Sequence, residues 1–187
     1  HHNGPCNHVA RVSVSAHGVT REVLAVIVDL IASRELSARR RKTLDRRIRG
    51  ILEEVYEQCP ESCKARPSLT GGDSIELLLD NWIPAAFLFH RLLVEHVDFR
   101  AGIGTGRVVV LRDHADECDG PVFWNAREAI REVKETRYMS SRVSLKLAKR
   151  TSARDTGAAL NLAMFLSTLL TMTPTQTRYC YYYLWKD

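Results

Sequence analysis

The sequence predicts an α+β fold: a ferredoxin-like βαββαβ core carrying an extra helix and strand, followed by C-terminal helices. Three observations predict it. Val23 to Val28 is a continuous β-prone run that ends in Asp29. Leu69 to Leu79 holds Gly71-Gly72-Asp73 between two strand-like arms, the signature of a tight hairpin. Helical periodicities alternate with these runs, giving the order β-α-β-β-α-β-α-β up to residue 148.

The first strand is apolar at every position, which suits a central strand buried on both faces. Leu30 to Ser37 reads as a loop, and a helix follows to about Glu57. Leu44, Ile48, Ile51, Leu52 and Val55 fall on one stripe of it. Arg39, Arg40, Arg41, Lys42, Arg46, Arg47 and Arg49 crowd the rest, as a solvated face or an anion or nucleic-acid surface. Cys59-Pro60-Glu61-Ser62 breaks the helix.

Lys64 to Thr70 and Ser74 to Leu79 form the arms of the hairpin, which is expected in the middle of the sheet with helices on one face. Asp80-Asn81 can cap the next helix, with Pro84 in its first turn, and that helix runs to about His96. Phe99 to Gly106 and then Arg107 to Leu111 read as strand. Gly102, Gly104 and Gly106 alternate inside it, which means bulging or close approach of another backbone or a ligand. Arg112 to Asp119 is a polar loop. Gly120-Pro121 opens a helix to about Tyr138, and Arg142 to Ala148 is a further strand. An apolar helix spans Ala158 to Met172. Thr173-Pro174-Thr175-Gln176 starts the last one, rich in aromatics from Tyr179 to Trp185. That aromatic density suits packing or a homodimer interface.

Residues 1–20 are expected to be a flexible lead-in or a tag remnant, 21–150 the α+β domain, and 151–187 a C-terminal helical segment. A net charge of +5 is mildly basic and fits anionic ligands; by itself it does not argue for nucleic acid. No apolar run is long enough for a membrane span, and the start lacks a signal-peptide pattern. Five scattered cysteines are an odd count with one C-x3-C, so neither a disulfide framework nor a zinc site is expected. Free thiols in the cytoplasm are the corresponding expectation.

Four segments stand together: Val26 to Arg34, Thr70 to Ser74, Phe99 to Gly106, and Asp119-Gly-Pro-Val-Phe-Trp-Asn-Ala-Arg-Glu-Ala-Ile130. With them the chain resembles the SatD family of small prokaryotic proteins over roughly residues 22–185. Its core also resembles class III nucleotide cyclases and GGDEF-type palm domains. In those families one aspartate ends the first strand and another sits on the central hairpin, and both hold divalent metal at a nucleoside triphosphate. Asp29 and Asp73 match these positions, which implies a nucleotide bound with Mg²⁺.

Two neighbouring carboxylates repel unless a cation lies between them, and Mg²⁺ takes one or two carboxylates together with phosphate oxygens. Main-chain N–H groups of Leu30, Ile31, Ala32 and Ser33 could cradle phosphates, with Gly72 leaving room at the hairpin and Arg100 adding charge. Asn125 and Arg127 resemble the catalytic asparagine and arginine of the cyclase helix, with a different arginine spacing. Leu69 stands where cyclases carry a base-selecting lysine. The enzymatic form of this reading is a Mg²⁺-dependent cyclase-like or transferase-like activity. The alternative is a dimeric regulatory or sensor protein without catalysis, linked to DNA through its C-terminal helices, because SatD relatives often continue into a helix-turn-helix-like segment.

Overall fold

The computed structural model describes residues 23–31, 37–135 and 142–186. Five strands and five helices follow in the order β1 (Val23–Leu30), α1 (Ala38–Gln58), β2 (Ser68–Thr70), β3 (Ser74–Leu79), α2 (Ile83–Val94), β4 (Phe99–Gly106), α3 (Pro121–Glu135), β5 (Val143–Lys146), α4 (Ala153–Thr171) and α5 (Pro174–Trp185). The strands form one mixed sheet in the order β2-β3-β1-β4-β5. β2/β3, β3/β1 and β1/β4 are antiparallel, and β4/β5 is parallel. Among the described residues no helix is long and apolar enough to cross a membrane.

β1 lies at the centre of the sheet because both of its faces are apolar. Leu24, Val26, Val28 and Leu30 enter one core with α1, α2, α4 and α5. Val23, Ala25 and Ile27 enter a second core with Val122, Phe123, Ala126 and Ile130 of α3. Each large apolar side chain so buried contributes about 1.5–3 kcal/mol. This corrects the expectation of helices on one face: a strand without a polar face has to be covered on both. The glycine hairpin is not in the middle either, since β2 is an edge strand.

The three glycines of β4 make room for another backbone. A Cβ at Gly102 would lie 2.5 Å from Ala126 O and Ile130 N, and one at Gly106 would lie 2.9 Å from Val122 N. α3 therefore packs main chain to main chain on β4. The strand does not continue through Arg107 to Leu111 as its composition suggests. Its pairing with β1 runs to Val23↔Gly106, and no described β1 residue lies beyond. The N–H groups of Val109 and Val110 turn instead to Asp119 O, each at 2.9 Å.

Local capping follows the sequence in part. Asn81 Oδ1 accepts the Ile83 N–H at 2.9 Å in a turn just ahead of α2. The N-cap of α2 is Trp82, without a side-chain capping bond, and Pro84 lies in the first turn. Asp80 instead pairs with Lys64 at 2.7 Å. Thr173 and Gln176 form both halves of a capping box at α5. α4 begins before the apolar run because Ser152 accepts the Asp155 N–H at 3.1 Å. Ala159, Leu162, Leu166 and Tyr181 carry α4 and α5 into the core shared with β1. Cys63, Cys118 and Cys180 are free thiols, as expected. Cys59 is disulfide-bonded, a correction to that expectation that spacing along the chain could not reveal. The predicted lead-in, Cys6, Ala32 and Ser33 lie outside the described residues.

Candidate functional site

The pairing of three strands builds the candidate site. Asp29, near the end of β1, lies opposite Ser74 of β3 and Arg100 of β4. One step on, the Leu30 N–H donates to the main-chain oxygen of Asp73 at 2.8 Å. The main chain of Asp73, in the turn before β3, thus lies beside the end of β1 that carries Asp29.

Strand alternation puts Asp29 on the α3 side with Val23, Ala25 and Ile27. There Lys134 Nζ, from the last turn of α3, lies 2.9 Å from Asp29 Oδ1, and Arg100 Nη1 lies 3.8 Å from Oδ2. The Asp29 side chain is 19% exposed.

Asp73 follows the turn itself. Gly71 and Gly72 have φ of 58° and 78°, and the Asp73 N–H donates to Thr70 O at 3.3 Å. Two successive positive φ values are what a primed turn demands, and glycine meets them without strain; Asp73 is the third residue of the loop, between the paired Thr70 and Ser74. The space beside Gly72 is taken by Arg41 of α1. Its Nη2 donates to Gly71 O at 3.3 Å and would stand 3.4 Å from a Cβ on Gly72.

The N–H groups of Leu30 and Ile31 both donate to main-chain oxygens here, those of Asp73 and Asp98. Asn125 and Arg127 lie elsewhere on the sheet. Asn125 Nδ2 donates to Thr105 O at 2.8 Å, which ties α3 to the far end of β4. Thr105 is opposite Leu24, whereas Arg100 is opposite Asp29. Five strand residues, roughly 17 Å, separate the two positions. Arg127 sits between, 3.9 Å from Glu76 Oε2 and 3.5 Å from Asp119 Oδ1, with its guanidinium 5.7 Å from the Phe123 ring centre. The structure therefore brings Asp29 and Arg100 together and sets the main chain of Asp73 beside them, and it holds Asn125 apart within one chain.

Sequence reasoning missed three neighbours. Arg41 was visible only as part of a basic run. Lys134 meets Asp29 across 105 residues of chain, a contact that helical spacing on α3 alone cannot announce. Glu76 is opposite Ile27 and only 13% exposed, and its Oε2 has no hydrogen-bond partner among the described residues. Burial pushes its carboxyl above the ordinary range while Arg127 pulls it down. Its signal was a lone acid between Ile75 and Leu77.

Among the described residues no group of three or more His, Cys, Asp and Glu side chains could hold a metal. The two aspartates offer hard oxygen donors, which suit a cation that completes its shell with water and phosphate oxygens. Such a cation would have to displace the Lys134 ammonium from Asp29. No curated protein matches the chain. The family model described as the SatD family matches residues 23–177.

Proposed function

This chain belongs to the SatD family, and we propose that it carries a cyclase-like palm domain that binds a nucleotide with Mg²⁺ at Asp29 and Asp73. The observation that carries the reading is the Leu30–Asp73 main-chain bond of 2.8 Å, which makes the two acidic positions neighbours. The strand order supports it too. β2-β3-β1-β4 is antiparallel throughout with βαββαβ connectivity, as in a ferredoxin-like core, and β5 is added outside β4.

Bound at this pair, Mg²⁺ would neutralise both carboxylates and polarise phosphate oxygens. Arg100, 3.8 Å from Asp29, would add charge to a phosphate once Asp29 turned to the metal. The N–H groups of Leu30 and Ile31, the described part of the expected phosphate cradle, already donate to the main-chain oxygens of Asp73 and Asp98. Asn125 and Arg127 belong to the catalytic form of the reading. Because Asn125 lies at the other end of β4, it would serve the nucleotide of a second copy in a homodimer rather than that of its own chain.

Calorimetry with ATP and with GTP, in the presence and absence of Mg²⁺, tests the proposal. Mg²⁺-dependent binding that weakens in Asp29→Asn and Asp73→Asn is expected. Equal affinity of both variants and the wild type in saturating Mg²⁺ would overturn it.

A second reading, a dimeric regulatory protein, is favoured by the exposure of α5. Tyr179 and Tyr183 are 74% and 78% exposed, with Tyr182 beside them and Leu160 and Met164 exposed on α4. Aromatic area of this kind is enriched at interfaces. Light scattering that finds a dimer disrupted by Tyr179→Ser with Tyr183→Ser would support it, and a monomer at high concentration would rule it out. A link to DNA through α5 would appear in a gel shift that these substitutions abolish.

A further inference from the structure

The outward face of α1 is a strongly cationic surface that the sheet-end site leaves unused. Arg41, Arg47 and Arg49 are engaged, with Gly71 O at 3.3 Å, Glu95 at 3.4 Å and Asp45 at 3.0 Å. Among the described residues, Arg39, Arg40, Lys42 and Arg46 pair with no carboxylate, and all four are exposed. Arg39, Lys42 and Arg46 follow at i, i+3 and i+7, one stripe on the side of the helix opposite Ile48, Leu52 and Val55. Arg40 lies more than a quarter-turn round the helix from that stripe, on the flank with Thr43 and Arg47.

Two features of this helix start point to an anion. Its first turn holds no acidic residue, and Ser37 at the N-cap makes no side-chain capping bond. Cations there stand at the positive end of the helix dipole and repel it as well as one another, an arrangement that an anion relieves. A depression of about 420 Å³ also runs along the flank, lined by Ser37, Arg39, Arg40, Thr43, Leu44 and Arg47.

The form of the surface selects a polymer over a small phosphate. The four free cations spread over eight residues, roughly 10 Å of helix, and do not converge on one point. Between Ser37 and Gly50 there is no aromatic side chain to stack an unpaired base, which favours a duplex over a single strand. We propose that α1 binds the phosphate backbone of double-stranded DNA without sequence preference. This contact is separate from the Asp29–Asp73 site and from α5.

Fluorescence anisotropy of the full chain with a labelled duplex of random sequence tests it. With four phosphates neutralised, log K should fall against log salt with a slope of about −3 to −4. Arg39→Ala, Arg40→Ala, Lys42→Ala and Arg46→Ala combined should abolish binding at moderate salt, with unchanged circular dichroism. Scrambling the duplex sequence should change nothing. No duplex binding at low salt would overturn the proposal, as would unchanged affinity and slope in the fourfold variant. Binding lost instead on substituting Tyr179 and Tyr183 would move the contact to α5 and overturn it equally. Asp29→Asn should leave duplex binding intact, so failure of the nucleotide reading and failure of this one are distinguishable.

Discussion

Trp185 donates its indole N–H to Nδ1 of His90 at 2.9 Å, while Nε2 of the same ring lies 2.8 Å from the carbonyl oxygen of Thr177. These two partners define the ring. Nδ1 faces a donor and must accept, so Nε2 carries the proton and His90 is neutral. His90 belongs to α2 and is fully buried, and both partners belong to α5. A single imidazole therefore clasps the last helix onto the core.

A pH dependence follows. Burial lowers the pKa of His90 from its ordinary 6.5, opposed by the bond to Thr177. The rings of Phe165, Tyr181 and Trp185 pack edge-on around it. With the folded pKa depressed, the unfolded chain takes up the proton first. The contribution of neutral His90 is thus fully present above about pH 6.5 and is lost as pH falls through the lower, folded value. Thermal melts should show stability declining below that pH, and His90→Gln should flatten this part of the profile.

Removing the other half of the clasp should act at every pH. Trp185→Phe keeps a ring against Phe87, whose centre lies 5.2 Å away, but leaves Nδ1 of His90 without its donor. A buried acceptor left unsatisfied costs about 1–3 kcal/mol. Urea unfolding should report a loss of that size, and amide exchange should quicken first along α5.

Two glycines should respond in opposite directions to the same substitution. Gly102→Ala places a Cβ 2.5 Å from two main-chain atoms of α3, which cannot move without separating helix from sheet. A loss of about 3 kcal/mol is expected. Gly50 is an exposed residue inside α1 with nothing within 4 Å of a Cβ. Gly50→Ala should gain about 0.8–1 kcal/mol from helix propensity. Denaturant midpoints of the two variants check both.

The contrast between these glycines marks how far the sequence could be read. Local signals were legible because their physics is local. The continuous apolarity of Val23 to Val28 announced a central strand, Thr173 and Gln176 announced a capped helix, and the alternation of patterns gave the element order. The alternating glycines of β4 announced close approach, without saying whether a ligand or a backbone came near. What stayed hidden depends on pairing at a distance. Arg107 to Leu111 has the composition of a strand but finds no described β1 residue to pair with. The site was half legible: Asp29 and Asp73 sit at the ends of recognisable elements, whereas the cations around them come from α1, β4 and α3.

Lys134 gives the sharpest test of the two-aspartate site. Its ammonium lies 2.9 Å from Asp29 Oδ1 and its side chain is 43% exposed. A pair this open contributes only about 0–1 kcal/mol to stability, so Lys134→Met should barely shift the melting transition. The effect on cation binding should be larger. If Asp29 is a Mg²⁺ ligand, the ammonium competes with the metal for the same oxygen, and its removal should tighten Mg²⁺-dependent nucleotide binding several-fold. Arg100, at 3.8 Å from the other oxygen, stays in place to meet a phosphate. If Asp29 serves only to hold the end of α3 against β1, the variant should leave nucleotide affinity at the wild-type value. Calorimetric titration of wild type and Lys134→Met with the same Mg²⁺-nucleotide separates the two, because a structural ion pair has no means of strengthening a ligand when it is broken.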